Sequence, residues 1–460
     1  MGNKKNAWLK FDDTKKEEIF SFCEGYKKYI SDCKTERESI KEAISLAESK
    51  GYRDLKNVIS AGKSLKAGDK VYYNNMDKSL ALFLRGSESI ESGMRIIGSH
   101  VDSPRLDLKP NPLYEDSELS LMETHYYGGV KKYQWVTIPL ALHGVVVKKD
   151  GTKIDVVVGE EETDPVVMVS DLLVHLASEQ QQKKATEVIA GEDLNILVGS
   201  MPLEGEEKEA VKANILKLLK EKYDFEEEDF MSAEIEIVPA GKARDLGLDR
   251  SMVAGYGHDD RICAYTSLLA LLETESTKKT SVVLLVDKEE VGSIGATGMQ
   301  SRFFENAVAE LMDRVGEYSE LKLRRALANS KMLSSDVTAA FDPNYAGAYE
   351  KKNSAFFGKG LAFAKYTGAR GKSGCNDANA EFVAWLRNVM DENDVAYQMA
   401  ELGKVDQGGG GTIAYILAEY GMEVIDCGVA LQNMHAPWEV ASKVDIFETM
   451  RGYKAFLMAE

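Results

Sequence analysis

Apolar strand segments alternate with amphipathic helical segments after residue 246, and this alternation constrains the fold more than any other feature. Segments such as SVVLLVD (281–287) and EVIDCGVAL (423–431) show no polar face. Strands that are apolar on both faces are typical of a sheet covered by helices on both sides. The sequence therefore predicts an α/β fold, a three-layer domain built around a mixed, largely parallel sheet.

A segment of different character, residues 108–245, interrupts this pattern. In it, β-branched runs flank the pair Asp150-Gly151, which is typical of a β-hairpin, and further strand segments follow. A chain of 460 residues is long enough for two or three domains. We therefore predict a catalytic domain formed by residues 1–107 and 246–460, interrupted by this β-rich insert.

Charge and cysteine content exclude several classes of partner. The chain has 75 acidic and 57 basic residues and a formal net charge of -18, so it repels phosphate backbones and anionic membranes. No segment reaches the roughly 18 uninterrupted apolar residues of a membrane span. We expect no nucleic-acid and no membrane partner. Five scattered cysteines without a CxxC pair argue against disulfides and favour a cytoplasmic protein.

Two short motifs lie at the boundaries of predicted secondary-structure elements. His100 and Asp102 form an HxD pair at the end of an apolar strand, where the carboxylate can orient a metal-binding imidazole. A histidine in an ordinary hydrogen-bonded turn is the alternative. The pair Asp259-Asp260 stands at the start of a predicted helix, where capping of the helix is the alternative.

Two further candidates follow later strands. Asp336 ends the strand MLSSDV (332–337), and His435 follows the strand DCGVAL and precedes a closing helix predicted from about residue 438. An α/β fold collects its ligands at one edge of the sheet, where strands end, so we expect these side chains to converge. Histidines and carboxylates in this number suit two divalent ions about 3.5–4 Å apart. Zinc, cobalt and manganese all accept such ligands.

The adjacent carboxylates of Glu289 and Glu290 follow the strand SVVLLVD. If Glu290 binds a metal, Glu289 can reach a water between the two ions and act as the general base. Asp259 is then the candidate bridge, with His100 and one carboxylate on one ion and His435 and another carboxylate on the second. A solvated acidic turn followed by flexible glycines is the alternative.

Other catalytic motifs fail on inspection. The segment GARGKSG (368–374) resembles a phosphate-binding loop, but the first glycine of that motif is replaced by Tyr366. No GxSxG motif is present, so a serine hydrolase has no candidate nucleophile.

Taken together, several motifs resemble the M18 metallo-aminopeptidases over most of the chain: GSHVDSPRLDLKP, GHDDR, DKEEVGSIGATG, SSDVTAAFDPNY and MHAPWE. The resemblance implies a peptidase with two ions, usually zinc, that removes one N-terminal residue from peptides with a free N-terminus. It also implies a homo-oligomer, a tetrahedral dodecamer, in which the insert serves oligomerisation.

By the same resemblance, His100 and Glu290 hold one ion, and Asp336 and His435 complete the cluster with their pairing left open. Asp259 would bridge the ions and precede a cis peptide bond. Asp102 would orient His100, and Glu289 would be the general base.

The resemblance also suggests substrate contacts. His175, in a helix predicted near 170–182, corresponds to a histidine that reaches the active site of a neighbouring subunit. Arg370 and Lys372 lie where the aspartyl enzymes of the family carry an acid-selecting lysine, but neither aligns cleanly with it.

Two alternative functions stay open at this stage. One is a related two-metal deacylase or carboxypeptidase, which would require a cationic clamp for a substrate carboxylate. The other is a catalytically silent assembly protein of the same fold, which the loss of a ligand would favour.

Overall fold

The computed structural model describes residues 5–460, which divide into two compact units. The first unit comprises residues 5–102, 243–434 and 439–460. The second comprises residues 103–242 and the short segment His435–Trp438. Each unit has its own sheets.

The α-helices are α1 (Asp13–Asp32), α2 (Glu36–Ser49), α3 (Leu55–Ser60), α4 (Ala210–Tyr223), α5 (His258–Leu272), α6 (Phe303–Arg314), α7 (Glu320–Ala328), α8 (Ala380–Glu392), α9 (Ala414–Ala418) and α10 (Lys443–Met458). Local sequence explains where several of them begin. At α2, for example, the Thr35 hydroxyl accepts the Glu38 N–H, and the Glu38 carboxylate accepts the Thr35 N–H. This reciprocal cap satisfies two backbone donors at the helix start.

The strands are β1 (Arg53–Asp54), β2 (Lys70–Asn75), β3 (Ser79–Leu84), β4 (Met94–His100), β5 (Arg105–Asp116), β6 (Leu119–Tyr127), β7 (Leu140–Val147), β8 (Lys153–Val158), β9 (Met168–Val169), β10 (Ile196–Gly199), β11 (Ala233–Pro239), β12 (Arg244–Leu246), β13 (Met252–Gly255), β14 (Thr280–Val286), β15 (Lys331–Ser335), β16 (Thr338–Ala339), β17 (Leu361–Ala364), β18 (Tyr397–Met399), β19 (Glu423–Gly428), β20 (Ala430–Gln432) and β21 (Glu439–Ser442).

A nine-stranded sheet in the order β1-β2-β3-β14-β4-β15-β19-β17-β18 organises the first unit. Its central strands β14, β4, β15 and β19 run parallel to one another, whereas β3 and β17 pair antiparallel with their neighbours in the centre. The predicted α/β fold with a mixed, largely parallel sheet is therefore confirmed. A smaller five-stranded sheet, β12-β13-β21-β20-β16, belongs to the same unit.

Alternate residues of the central strands pack on opposite faces of the large sheet. Val283 and Leu285 of β14 join one apolar core, with residues of α2, α5, α8 and α10. Val282 and Leu284 join a second core, with residues of α3, α6, α7 and α9. Burial of one aliphatic side chain contributes about 1.5–3 kcal/mol to the stability of the fold, so the two cores together stabilise the central strands. The sheet with its two helical coats forms the three predicted layers.

A seven-stranded sheet in the order β8-β7-β11-β5-β6-β10-β9 forms the second unit, and all its paired strands are antiparallel. The predicted hairpin is present as β7 and β8. Gly151 in its turn has φ +87°, a conformation that favours glycine over other residues. The β-rich character expected for this part of the chain is thus observed.

Two predicted helices differ from the structure. The segment near 170–182 forms two short 3₁₀ turns, Val174–Leu176 and Gln180–Gln182, and not an α-helix. Its apolar residues follow one another in the run LLVHL and are exposed, so they provide no buried face against which a helix could pack. The closing helix begins at Lys443, because Glu439–Ser442 is strand β21. Within residues 5–460, no helix combines the length and the apolar character needed to cross a membrane.

Candidate metal centre

The carboxyl ends of neighbouring parallel strands bring most of the predicted site residues together. Strand β4 lies between β14 and β15, and all three run in the same direction. His100 is the last residue of β4, Glu289 and Glu290 follow β14, and Asp336 follows β15. The carboxyl edge of a parallel sheet therefore collects these side chains, as the sequence predicts.

His100 is the centre of this cluster, and its side chain is 2% exposed. Its Nε2 atom lies 3.1 Å from Asp259 Oδ1, 3.7 Å from Asp336 Oδ1 and 3.8 Å from Glu289 Oε2. One imidazole nitrogen thus faces three carboxylates. Such a convergence of imidazole and carboxylate groups is typical of a site for a divalent cation.

Asp102 lies on the other side of the His100 ring and is fully buried. Its Oδ1 atom is 3.3 Å from His100 Nδ1. Its two carboxylate oxygens also accept the backbone N–H groups of Glu289 and Glu290, each at 3.2 Å. Asp102 therefore connects the orientation of the imidazole with the position of the two glutamates.

Asp259 and Asp260 stand at the start of α5, but neither caps the helix. Gly257 occupies the capping position, and both aspartates have backbone angles outside the helical range. The expected cis peptide bond between them is present. The Asp259 N–H donates to Glu439 Oε2 at 3.0 Å. Both aspartates are buried at the beginning of this helix.

Three overlapping groups of potential ligands occupy this edge of the sheet. Ligand atoms lie within 4.8 Å of one another in the set His100, Asp260 and Asp336 and in the set His100, Glu289 and Glu290. Oxygen atoms of Asp259 and Glu290 are also within 4.8 Å of each other. These separations allow a single ion to contact two or three side chains at once.

Asp260 is the residue that the sequence analysis missed as a potential ligand. Both of its carboxylate oxygens are buried, and the neighbouring Cys263 thiol offers them only a weak donor. Isolated buried carboxylates are costly unless a cation or a proton neutralises them. The available signal was the acidic pair itself, which we assigned to one ligand and one neighbour in a cis peptide bond.

Burial and mutual repulsion shift the ionisation of the cluster. Burial raises the pKa of Glu289 to about 8; His100 opposes this shift, and the carboxylates of Asp336, Asp102 and Asp259 add to it. Burial, reinforced by Asp336, likewise raises the pKa of Asp260 well above its ordinary value. Glu289 and Asp260 therefore favour their protonated forms when no cation is bound, and a divalent cation could replace those protons.

The pKa of His100 is also raised, against the effect of its burial. Burial alone would lower its pKa, but hydrogen bonding to the carboxylates of Asp102, Asp259 and Asp336 raises the pKa well above its ordinary value. Without a cation, the imidazolium form is thus favoured among these acidic neighbours. Binding of a metal ion at Nε2 would require the neutral ring and would release that proton.

Four further predicted residues have the following surroundings within their own units. His435 belongs to the second unit, where its Nδ1 atom is 3.0 Å from Gly129 O. His175 is exposed in the 3₁₀ turn Val174–Leu176. Arg370 and Lys372 line a cavity of about 360 Å³ in the first unit, together with residues 401–405. Lys372 Nζ is also 2.9 Å from Asp377 Oδ2.

Comparison with known proteins gives a consistent result. Residues 29–457 match the family model described as aminopeptidase I zinc metalloprotease (M18). A Clostridium acetobutylicum protein named probable M18 family aminopeptidase 1 is 66% identical over 454 residues, which cover 98% of each chain.

Solved structures agree. The crystal structure of an M18 family aminopeptidase from Thermotoga maritima has a TM-score of 0.95, with 45% identity and 99% of each chain covered. The structure of the S. cerevisiae mApe1 dodecamer has a TM-score of 0.77 over 95% of this chain and 96% of that chain. Its 20% identity shows a shared fold alone.

Proposed function

Because the chain belongs to the M18 family of zinc metalloprotease aminopeptidases, we propose that it releases single N-terminal residues from peptides. In this reaction Glu289 acts as the general base. It is an enzyme, a metallo-aminopeptidase that hydrolyses peptide bonds. One observation carries the proposal: a buried imidazole faces three carboxylates at the carboxyl edge of a parallel sheet. A peptide with a free N-terminus is the proposed substrate.

The donor set of the site fits two divalent ions, most naturally zinc, with cobalt or manganese as alternatives. Imidazole nitrogen and carboxylate oxygen are ordinary zinc ligands, and the buried carboxylates of the cluster need a positive charge. The ions, when bound, supply electrophilic activation of a water molecule and of the scissile carbonyl group. All other steps depend on the protein's own side chains.

We assign the ligands as the motifs suggest. By this assignment His100 and Glu290 would hold one ion, Asp259 would be shared by both, and Asp336 and His435 would complete the set. The closeness of the Asp259 and Glu290 oxygens supports their sharing an ion. Asp260 joins His100 and Asp336 in another compact group, so it is a further candidate for contact with an ion.

Glu289 has the position and the environment of a general base. Its Oε2 atom lies 3.8 Å from His100 Nε2, and its side chain is 14% exposed. It can therefore take a proton from the attacking water at its carboxylate and deliver that proton to the leaving amine. A cation nearby would lower the raised pKa of Glu289 and keep the carboxylate ready to accept a proton.

Asp102 serves as a positioning residue in this scheme. It holds the Nδ1 side of His100 and two backbone N–H groups of the glutamate turn at the same time. A carboxylate in this position fixes the tautomer and orientation of a ligand imidazole. Loss of Asp102 would therefore disturb both the ligand and the base.

Arg370 and Lys372 are the proposed substrate contacts within the first unit. The cavity that they line also contains Lys404 and Glu401, so its lining carries more positive than negative charge. Positive charge at this position suits carboxylate groups of a peptide substrate. Comparing kinetics for peptides with N-terminal Asp, Glu, Leu and Lys would define the preference.

Assembly and location complete the proposal. We extend the dodecameric assembly of S. cerevisiae mApe1 to this chain as a tetrahedral dodecamer, with the β-rich insert serving oligomerisation and His175 reaching a neighbouring active site. Leu172, Leu173 and Val174 beside His175 are 45%, 54% and 67% exposed, and exposed apolar runs are typical of interfaces. Sedimentation near the monomer mass would contradict the assembly.

The five cysteines are free thiols, which supports a cytoplasmic location.

The variant Glu289→Gln tests the central assignment. It keeps the shape of the side chain but cannot accept a proton, so kcat should fall by about 10²–10⁴ while bound zinc is retained. The matched control is Glu273→Gln, because Glu273 lies in an ion pair with Lys454 in the same unit and should leave kcat unchanged. Near-normal turnover of Glu289→Gln would discredit the role of Glu289.

A substrate comparison separates the proposal from a deacylase or carboxypeptidase. The enzyme should cleave aminoacyl p-nitroanilides and leave N-acylated amino acids intact, since the proposed reaction requires a free α-amine. The reverse preference would favour the deacylase alternative.

A further inference from the structure

The turn that carries Glu289 and Glu290 adopts an unusual backbone conformation. Strand β14 ends at Val286, and Lys288 has φ +73°, in the left-handed region. A short 3₁₀ turn, Glu289–Val291, follows. Non-glycine residues in the left-handed region cost free energy and persist where surrounding contacts hold them. The question is therefore which side chains hold this turn.

Two buried carboxylates accept three consecutive backbone N–H groups of the turn. Asp287 Oδ1 accepts the Lys288 N–H at 2.8 Å. The next two N–H groups, of Glu289 and Glu290, donate to Asp102, each at 3.2 Å. The side chains of Asp287 and Asp102 are both fully buried. The backbone from 288 to 290 is thus fixed residue by residue.

Asp287 also holds the far end of the same loop. The Thr297 hydroxyl donates to Asp287 Oδ2 at 2.6 Å, and the Asp287 N–H donates to Thr297 O at 3.4 Å. Thr297 is 7% exposed, and its carbonyl also accepts a hydrogen bond from the Ser79 hydroxyl of β3. One carboxylate therefore joins the first and last residues of the loop 288–297 and anchors them to the sheet.

From this geometry we infer that Asp287 is a positioning residue that, together with Thr297, sets the turn in which Glu289 and Glu290 act. The inference rests on the proposed function, because it assumes that Glu289 moves the proton and that Glu290 binds metal. A displacement of about 1 Å in a catalytic group can lower the rate roughly a hundredfold. Asp287 touches neither substrate nor ion in this scheme and acts through the backbone.

The variant Thr297→Val tests the inference with little change in volume, because it removes the hydroxyl and leaves Asp287 Oδ2 without that donor. Measured with the zinc-loaded full-length enzyme, kcat should fall roughly tenfold while KM stays within about twofold, since the groups that bind substrate are untouched. Thr297→Ser restores a hydroxyl and should recover most of the lost kcat. Asp287→Ala removes both hydrogen bonds and should lower kcat further.

Thr274→Val is the matched control. Thr274 is 1% exposed, and its hydroxyl donates to Ala270 O at 2.8 Å. It follows the C-terminal end of α5, whereas Asp259 lies at the N-terminal end. This variant loses a buried hydroxyl beyond the C-terminal end of α5, so kcat should stay at the wild-type value even if stability decreases. Where Asp287→Ala does not yield folded protein, the two threonine variants still carry the test.

The outcomes separate the inference from the proposed function. Wild-type kcat in Thr297→Val, equal losses in Thr297→Ser and Thr297→Val, or an equal loss in Thr274→Val would each overturn the positioning role. If Glu289→Gln keeps its turnover, the proposed function fails regardless of these results. If Glu289→Gln is inactive and Thr297→Val is fully active, the inference about Asp287 alone fails.

Discussion

Each of the two units contains a buried histidine near carboxylates, and the charges around the two histidines are neutralised differently. In the second unit, His143 Nε2 lies 3.0 Å from Glu160 Oε1. Beside it in the same sheet, buried Arg105 contacts Asp107 at 2.8 Å and Glu236 at 3.2 Å. A guanidinium group thus neutralises acidic side chains within the fold.

The first unit offers its carboxylates a different environment. His100 faces Asp259, Glu289 and Asp336, and burial with mutual repulsion raises the pKa of Glu289 to about 8. One imidazolium cannot neutralise so many carboxylates. The comparison teaches that Arg105 gives its two acidic neighbours a permanent positive charge, whereas the carboxylates around His100 face a titratable imidazole, where a bound cation would add positive charge. This difference has measurable consequences.

Removal of metal should have the largest effect and should act on one cluster alone. Dialysis against a chelator should abolish aminopeptidase activity, and added zinc should restore it, because the His100 cluster loses its counter-charge. Hydrogen exchange should increase in residues 100–102 and 287–293 and stay unchanged around His143. Full activity after chelation, or a matching increase in exchange around His143, would contradict the comparison.

The same substitution in the two clusters should give different defects. Glu290→Gln should weaken zinc binding by at least about 10–100-fold and lower kcat, because a proposed ligand is lost. Glu236→Gln should retain the zinc content and kcat but lower the free energy of unfolding by about 1–3 kcal/mol, because a buried charge pair with Arg105 is weakened. Metal analysis and urea unfolding distinguish the two outcomes, and loss of zinc in Glu236→Gln would refute the assignment.

A buried carboxylate outside the two clusters, that of Asp445, tests burial and should have the smallest effect on activity. The Asp445 carboxylate accepts the N–H groups of Gly358 and Gly360, each at 2.7 Å, yet burial raises its pKa to about 7. The pKa of Asp445 is thus higher in the folded than in the unfolded chain. Its contribution to stability is present at acidic pH and decreases as pH rises from about 4 to about 7, by up to about 1.4 kcal/mol per pH unit.

Asp445→Asn should remove this dependence. Urea midpoints measured between pH 5 and 7.5 in the presence of chelator should decrease more steeply with rising pH in the wild type than in the variant. The activity of the zinc-loaded variant at pH 7.5 should match that of the wild type. Identical slopes for the two proteins would show that the carboxyl of Asp445 ionises normally.

Much of the site could be predicted from the sequence, because the ends of apolar strands can be recognised in it. The apolar strands end at His100, before Glu289 and before Asp336. If these strands are parallel, the three residues lie at the same edge of the sheet. Spacing also indicated the relation between His100 and Asp102, since alternate residues of an extended chain lie on one side. The family resemblance then supplied expected roles and the cis peptide bond, which the structure contains.

Other features could not be predicted, for identifiable reasons. Residues 172–176 are apolar enough to suggest a helix, but their exposure shows that no neighbour within the second unit provides a packing surface. The closing helix starts five residues late because Glu439–Ser442 pairs with β13 and β20, and such pairing depends on distant residues. Asp260 was missed as a potential ligand because the sequence interpretation gave the acidic pair a single ligand, Asp259, and the burial of the Asp260 carboxylate depends on the fold.

The sequence by itself determined the α/β class, the positions of the central strands and the residue types that collect at their ends, because hydrophobic periodicity and strand termination are local properties. Tertiary structure alone decided how those residues work together. The contacts of Asp102 with His100 and with the turn at 289–290, and the closure of the loop by Asp287 and Thr297, join residues up to 188 positions apart. Such contacts depend on the order of the strands in the sheet, and that order cannot be predicted from local sequence.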